Sequence, residues 1–304
     1  MSSPKSKEEL IIKDLKKNGL NYESFLDKYE MGKSETKKLY EELKTKGYNI
    51  QRNMYDGEIR YFIDNSPKGE TLYVSKNEVD KEFSLGMCSD PHLCDKAYKG
   101  EAFNEYYDII KERKIKYVLN AGDIFAGINV YKGQNNDLTC WGLEEQLEFV
   151  IKNYPKREGV ITEFIGGNHD YSFTKTAGID PCRLLANERI DMKYLGMYNS
   201  MINLGGIEIE LEHLRKNPPY AVSYPGQKYV ERRAHKPNIL LLGHRHTTMY
   251  LYYAGVHIFE GGTFQGSNTL SKELGFNEFI AGWIINIKQE DGVIKKITPE
   301  LISF

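Results

Sequence analysis

A chain of 304 residues with 40% hydrophobic and 28% charged side chains has room for a sizeable core, which excludes a disordered or fibrous class. Its formal net charge of -2 excludes a global polyanion-binding signature, so any electrostatic footprint must be local. Four cysteines without a Cys-x-x-Cys pair, Cys88, Cys94, Cys140 and Cys182, read as free thiols of a reducing compartment. The start, MSSPKSKEELIIKDLKK, is too charged for an export signal, and no apolar run is long enough to span a bilayer. A cytoplasmic protein without a membrane partner is expected.

From Lys7 to about Asp64 the pattern is helical, then strand-like. KEELIIKDLKK is followed by YESFLDKYE with Asn21 as its cap, and then by ETKKLYEELKTK with Ser34 as its cap, ending before Gly47. Two strand-like runs flank Asp56 and Gly57, a hairpin signal. Three short helices and a hairpin are the order of a winged helix-turn-helix, which predicts a small domain over residues 1–64. Its lysines, among them Lys33, Lys37, Lys38 and Lys44, alternate with Glu35, Glu41 and Glu42, and its hairpin carries Arg52 and Arg60. Such a balance suits modest DNA binding, or equally assembly into an oligomer or contact with a protein partner. The polar segment 65–81, with Pro67 and Gly69, reads as a linker.

Beyond Glu82, over residues 82–304, strands and helices alternate. EFSLGMCS, IKYVLNAG and GVITEFIGG read as strands separated by the helices AFNEYYDIIKER and LEEQLEFVIKNY, an order that implies parallel strands with right-handed crossovers. In GIEIELEHL, Ile207, Ile209 and Leu211 share one face with His213, while Glu208, Glu210 and Glu212 share the other. The run Ile239-Leu240-Leu241-Leu242, stopped by Gly243, reads as a strand buried on both faces. The tail reads as two strands joined at Asp291-Gly292.

Residues of metal-ligand type stand at the carboxyl ends of these strands, where α/β sheets gather functional groups. They are Asp90 and His92 after the first, Asp123 after the second, Asn168, His169 and Asp170 after the third, then His213, and finally His244 and His246. Each alone has a structural explanation: Asp90 or Asp123 as a cap, Asn168 in a left-handed turn, His213 as a satisfied core histidine. Together they hold five of the seven histidines of the chain, and a site becomes the better reading. Carboxylate, amide and imidazole without thiolate favour manganese, iron or zinc over calcium, with manganese expected in assays. Two divalent ions about 3.5 to 4 Å apart bind a phosphoryl oxygen and generate hydroxide near neutral pH. Two such ions with two ligand aspartates, the set implied by the family resemblance given next, would keep an excess of about two positive charges, suited to a phosphate ester and an attacking hydroxide.

The blocks Asp90-Pro91-His92, Gly122-Asp123, Gly167-Asn168-His169-Asp170, His213 and Gly243-His244-Arg245-His246 resemble, in order, those of the calcineurin-like metallophosphoesterases. The resemblance covers about residues 82–304 and implies an α/β fold, a two-sheet β-sandwich flanked by helices. It implies that Asp90, His92 and His246 bind one metal ion, that Asn168, His213 and His244 bind a second, and that Asp123 bridges both. It also implies that His169 protonates the leaving oxygen while Asp170 holds its imidazole; the alternative for Asp170 is a turn cap.

The text GDIFAG and GNHD departs from the GDxVDRG and GNHE of phosphoprotein phosphatases. SDPHL and AGDIF are closer to the SbcD-type repair nucleases, although Ala126 stands where an acidic residue often follows there. Basic residues and tyrosines interleave after His213: Arg215, Lys216, Lys228, Arg232, Arg233 and Lys236 with Tyr220, Tyr224 and Tyr229, against the single acid Glu231. Such a stretch suits nucleic acid, and a solvated helix face serves equally well. The expected activity is a two-metal phosphodiesterase, a nuclease or nucleotide-processing hydrolase. The alternatives are a cyclic or dinucleotide phosphodiesterase and a non-catalytic DNA-binding or scaffold protein on the same fold.

Overall fold

The computed structural model describes residues 6–17, 20–46, 48–55, 58–64, 71–74, 80–214, 221–275 and 278–304. Gly47, Asp56, Gly57, Pro67, Gly69, Arg215, Lys216 and Tyr220 lie outside the described residues, as do the side chains of Lys44, Arg52 and Arg60. The chain divides into two compact units, Met1–Pro67 with Lys228–Lys236, and Lys68–Gln227 with Pro237–Phe304.

The first unit contains α1 (Lys7–Lys17), α2 (Tyr22–Tyr29), α3 (Lys33–Thr45) and the strands β1 (Asn49–Tyr55) and β2 (Glu58–Asp64), which pair antiparallel. Ile11, Leu15, Phe25, Tyr40, Leu43 and Ile63 form its core. Asn21 caps α2, its side chain accepting from the Ser24 N–H at 2.7 Å. Ser34, expected as the cap of α3, instead lies inside the first turn. Gly32 donates its N–H to the Glu35 carboxylate at 3.0 Å, and its carbonyl accepts from Thr36. The reach of Glu35 back to the helix start moves the boundary two residues earlier than a Ser-cap rule gives.

The second unit runs β3 (Thr71–Val74), β4 (Glu82–Cys88), α4 (Gly100–Glu112), β5 (Tyr117–Asn120), α5 (Leu143–Asn153), β6 (Ile161–Gly166), α6 (Asn168–Ala177), α7 (Pro181–Glu188), β7 (Met192–Met197), β8 (Asn199–Leu204) and β9 (Ile207–His213). There follow α8 (Tyr224–Arg232), which runs on into the first unit, β10 (Ile239–Gly243), β11 (Thr248–Tyr253), β12 (Val256–Gly261), α9 (Thr269–Leu274), β13 (Ala281–Glu290) and β14 (Val293–Ser303). One sheet has the order β14-β13-β4-β5-β6-β7, the other β11-β12-β10-β9-β8-β3. β4 to β7 are parallel neighbours, while β13 closes on β4 antiparallel. In the second sheet β10 lies parallel between β9 and β12. Within the segment read as linker, Thr71–Val74 forms an edge strand parallel to β8.

Period-two alternation sorts the side chains. On β4, Leu85 and Met87 join Ile165, Ile209, Leu211, Leu241 and Phe259 between the sheets. Cys88 faces Phe103, Tyr106, Tyr107 and Ile110 of α4 on the other side. The tail turns at Asp291 and Gly292, both at positive φ (52° and 79°), the backbone a two-residue hairpin needs. The glutamate face of β9 is not all solvated, since Glu210 is buried.

One buried carboxylate breaks the apolar pattern. Glu163 on β6 lies fully buried with Lys193 Nζ 3.3 Å from its Oε1. Burial raises its pKa, and the Lys193 charge offsets this only in part. A carboxyl whose folded pKa exceeds its unfolded one is harmless at low pH and loses stability as pH rises from the unfolded pKa toward the folded one. The stability of the wild type relative to Glu163→Gln should therefore fall as pH rises above the ordinary glutamate pKa of about 4.3. Urea melts at a series of pH values above it read the difference directly, and a flat difference would contradict the sign.

Candidate metal centre

The site assembles where five strands end, β4, β5, β6, β9 and β10. Asp90 and His92 follow β4, Asp123 follows β5, Asn168 and His169 open α6 after β6, His213 ends β9, and His244 and His246 follow β10. Buried apolar strands fix the platform, and the turns that leave it are strained. Asp90, His92, Asp123, His244 and His246 all have positive φ, between 45° and 89°. Non-glycine residues rarely adopt this conformation, and it clusters where function demands a particular side-chain direction. Glycines allow the close approach of the turns. A Cβ on Gly167 would overlap Asp123 Oδ1, and one on Gly243 would overlap the Ala121 carbonyl and Ser89 Oγ.

Among the described residues the donors converge in three overlapping groups, one of them His92, Asp123 and His169, which links the other two. Asp90, His92 and His246 present ligand atoms within 4.8 Å of one another, and so do Asp123, His213 and His244. Asp90 Oδ1 lies 3.4 Å from His246 Nε2 and 3.8 Å from His92 Nε2, and the two imidazole nitrogens are 3.0 Å apart. Asp123 Oδ2 lies 3.1 Å from His213 Nε2 and 3.8 Å from His92 Nε2, so this one oxygen faces both groups. Asn168 Oδ1 completes the second at 3.1 Å from His213 Nε2.

Backbone and hydroxyl groups hold these donors in place. Asp90 Oδ2 accepts from Ser89 Oγ and from the His244 N–H at 2.8 Å, and Thr263 Oγ1 donates to the Asp90 carbonyl at 2.6 Å. Asp123 Oδ1 accepts from the His169 N–H at 2.8 Å. His213 Nδ1 lies 2.8 Å from the Ala121 carbonyl, which places a ring proton there and turns Nε2 toward Asp123 and the site. Ser89, Thr263 and the Ala121 carbonyl are supporting groups that the sequence reading missed. Ser89 stood inside the SDPH block, whereas Thr263 follows Gly261 and Gly262 without a local signal of its role.

Asp90 Oδ1 and Asp123 Oδ2 are buried and accept no hydrogen bond among the described residues. Buried carboxylate oxygens faced only by imidazole nitrogens at 3.1 to 3.8 Å form a donor set that a shared cation would complete. Burial opposes ionisation of Asp90, yet His246 and His92 outweigh it and hold the carboxyl well below its usual range. Asp123 is lowered in the same way, against burial, by His213 and His169. Burial, with the charge of a neighbouring histidine, pushes His92 and His244 down to about 4. His213 goes up to about 10, against burial, because Asp123 faces it. The thiols of Cys88 and Cys94 lie in separate apolar clusters, so the donor set is oxygen and nitrogen only. The residues present fit divalent transition ions.

Asp170 does not hold the imidazole of His169. Its carboxylate accepts from the backbone N–H groups of Gly167 (2.7 Å), Phe125 (2.9 Å) and Ile124 (3.3 Å). The His169 ring is instead fixed through Nδ1, 2.6 Å from the Ala126 carbonyl. Three N–H donors from two turns out-compete a single imidazole for a buried carboxylate, so Asp170 is the tie between the loop after β5 and the start of α6. Burial raises its carboxyl to about 7, with Asp123 adding to the shift.

Residues 83–263, a span holding every one of these side chains, match the sequence profile of the calcineurin-like phosphoesterases. The chain belongs to the calcineurin-like phosphoesterase family. Among its relatives, the chain is 25% identical over 243 residues to the DNA polymerase II small subunit of Methanothermobacter thermautotrophicus, covering 64% of this chain and 50% of that protein. It is 25% identical over 272 residues to the protein of the same name from Archaeoglobus fulgidus, covering 69% and 54%. The chain thus spans about half the length of the curated relatives it matches. A solved archaeal phosphodiesterase superposes with a TM-score of 0.42 and 12% identity, over 72% of this chain and all of that one. The relatives' name differs from the repair-nuclease branch to which SDPHL and AGDIF are similar.

The basic stretch after His213 is partly engaged within itself. Lys228 pairs with Glu231 at 2.7 Å, and the Arg233 guanidinium lies over the Tyr229 ring at 4.7 Å and donates to its hydroxyl at 2.6 Å. No helix among the described residues is long and apolar enough to cross a membrane.

Proposed function

We propose that the chain is a metal-dependent phosphodiesterase acting on nucleic acid or nucleotides. In this reading Asp90, His92 and His246 hold one divalent ion, Asn168, His213 and His244 hold a second, and Asp123 is shared. The observation that carries it is the pair of buried carboxylate oxygens, Asp90 Oδ1 and Asp123 Oδ2, left without hydrogen bonds amid converging imidazole nitrogens. Two divalent ions supply Lewis acidity toward phosphoryl oxygens and make water a nucleophile near neutral pH, and manganese is the ion to assay first.

The chain's own residues do the rest. The Ala121 carbonyl fixes the tautomer of His213, and the His169 N–H fixes the orientation of Asp123. The Ala126 carbonyl holds the Nδ1 proton of His169, so that its Nε2 is the atom able to hand a proton to the leaving oxygen. The relatives carry DNA polymerase and subunit in their names, which supports a DNA-related substrate and a protein partner.

We take residues 1–64 as a winged-helix module joined by 65–81 to the catalytic region 82–304. Its bases and acids are nearly equal in number, and two of its lysines are paired, Lys28 with Asp14 and Lys46 with Glu8, which favours partner contact or weak, salt-sensitive DNA binding over tight recognition. The deciding experiment is manganese-dependent hydrolysis of single-stranded DNA, duplex DNA, RNA, a cyclic dinucleotide and chromogenic mono- and diesters side by side. Diester cleavage that EDTA removes and manganese restores is expected. Cleavage of monoesters alone would reject the diesterase assignment, and metal binding without any turnover would favour the scaffold reading.

A further inference from the structure

Exposed aromatic residues are tied through their backbones to turns that carry ligand-type residues of both groups. Tyr171 lies one helical turn beyond Asn168, its N–H donating to the Gly167 carbonyl at 2.9 Å, and it is 36% exposed. Its ring meets that of Tyr198, with centroids 5.6 Å apart at 51°. Tyr198 is anchored to two site strands. Its N–H donates to the Gly166 carbonyl at 3.1 Å, and its carbonyl accepts from the His213 N–H at 2.7 Å. It holds φ at 71°, a conformation disfavoured for a bulky residue and kept only where the surroundings impose it. Beside the other group, Phe279 donates its N–H to the His246 carbonyl at 3.0 Å and is 51% exposed.

We propose that the Tyr171–Tyr198 pair and Phe279 are nucleobase-stacking platforms that seat bases flanking the scissile phosphate of a single strand. This rests on the phosphodiesterase reading of the same site. A base is the flat apolar group nearest a backbone phosphate, and aromatic rings take any base without reading its edges. In a duplex those faces are already stacked, so the platforms select an unpaired strand. Packed against each other, the Tyr198 and Tyr171 rings form one paired surface.

The test uses the full chain loaded with manganese and a fluorescein-labelled single-stranded DNA hexamer with phosphorothioate linkages, read by anisotropy. Tyr171→Ala and Phe279→Ala should each weaken binding about 5- to 100-fold. Tyr171→Phe should bind as the wild type does, and Tyr198→Asn, which tolerates the left-handed backbone, should lose as much as Tyr171→Ala. An abasic hexamer should bind the wild type as weakly as the intact hexamer binds the alanine variants. Equal affinity of wild type and Tyr171→Ala for the intact hexamer overturns the proposal, as does equal affinity of the wild type for intact and abasic strands or no binding of either. Hydrolysis of the unmodified hexamer is scored separately. Base-dependent binding without hydrolysis would sink the diesterase reading and keep the platforms. Hydrolysis with KM unchanged by Tyr171→Ala would do the reverse.

Discussion

Asp123→Asn is expected to abolish diester hydrolysis and to lower the content of both metal ions together. Asp123 Oδ2 faces His213 at 3.1 Å and His92 at 3.8 Å, the position a ligand shared by the two proposed ions needs. Asparagine keeps the volume, and its carbonyl can still accept the His169 N–H that now binds Oδ1. What it loses is the charge, and its amide nitrogen would turn donor protons toward the shared position. Changes to groups that merely support a metal ligand cost about 10 to 100-fold, and removal of a ligand common to two ions should exceed that range. The measurements are kcat/KM on a chromogenic diester with manganese and elemental analysis of the dialysed protein. A cooperative melt separates metal loss from unfolding. Full activity with wild-type metal content would remove the sharing role from Asp123.

The platform was legible because buried parallel strands are written as short apolar runs, and those of β4, β5, β6 and β10 stop at glycines or at ligand-type residues. Parallel neighbours bring the ends of β4, β5 and β6 together in one sheet and those of β9 and β10 in the other, but only the family resemblance implied that the two sets meet in one site. Chain order did not give the contacts that orient the ligands. The carbonyl that holds His169 belongs to Ala126, 43 residues earlier, and the partners of Asp170 come from Ile124, Phe125 and Gly167. A neighbouring Asp in GNHD therefore pointed to the wrong acceptor, because adjacency along a helix start does not bring two side chains face to face. Strict alternation in β9 separated two faces correctly but could not say that Glu210 on the polar one is covered. In the same way Glu163 lies fully buried on β6, a place that composition alone would have filled with an aliphatic residue.

His169→Asn or His169→Ala should retain both metal ions and lose about 10² to 10⁴ in rate, the range for one general acid or base. Either variant keeps the backbone N–H that steadies Asp123, so the change removes only the imidazole. That imidazole is directed by the Ala126 carbonyl on Nδ1, and its ring sits 4.2 Å from the ring of His92. The same closeness groups His169 with His92 and Asp123 as donors within 4.8 Å of one another, which makes it a competing candidate for a ligand. Metal content decides between the two roles, since loss of an ion from His169→Asn would make it a ligand and retention would leave it free for proton transfer. The leaving group then decides whether a proton is transferred. For a nitrophenyl ester, whose departing oxygen needs no proton, the rate loss should shrink, whereas for an alkyl or nucleoside leaving group it should stay large. An equal loss on both substrates would mean that the imidazole positions the phosphate, and an unchanged rate on the poor leaving group would exclude His169 from catalysis.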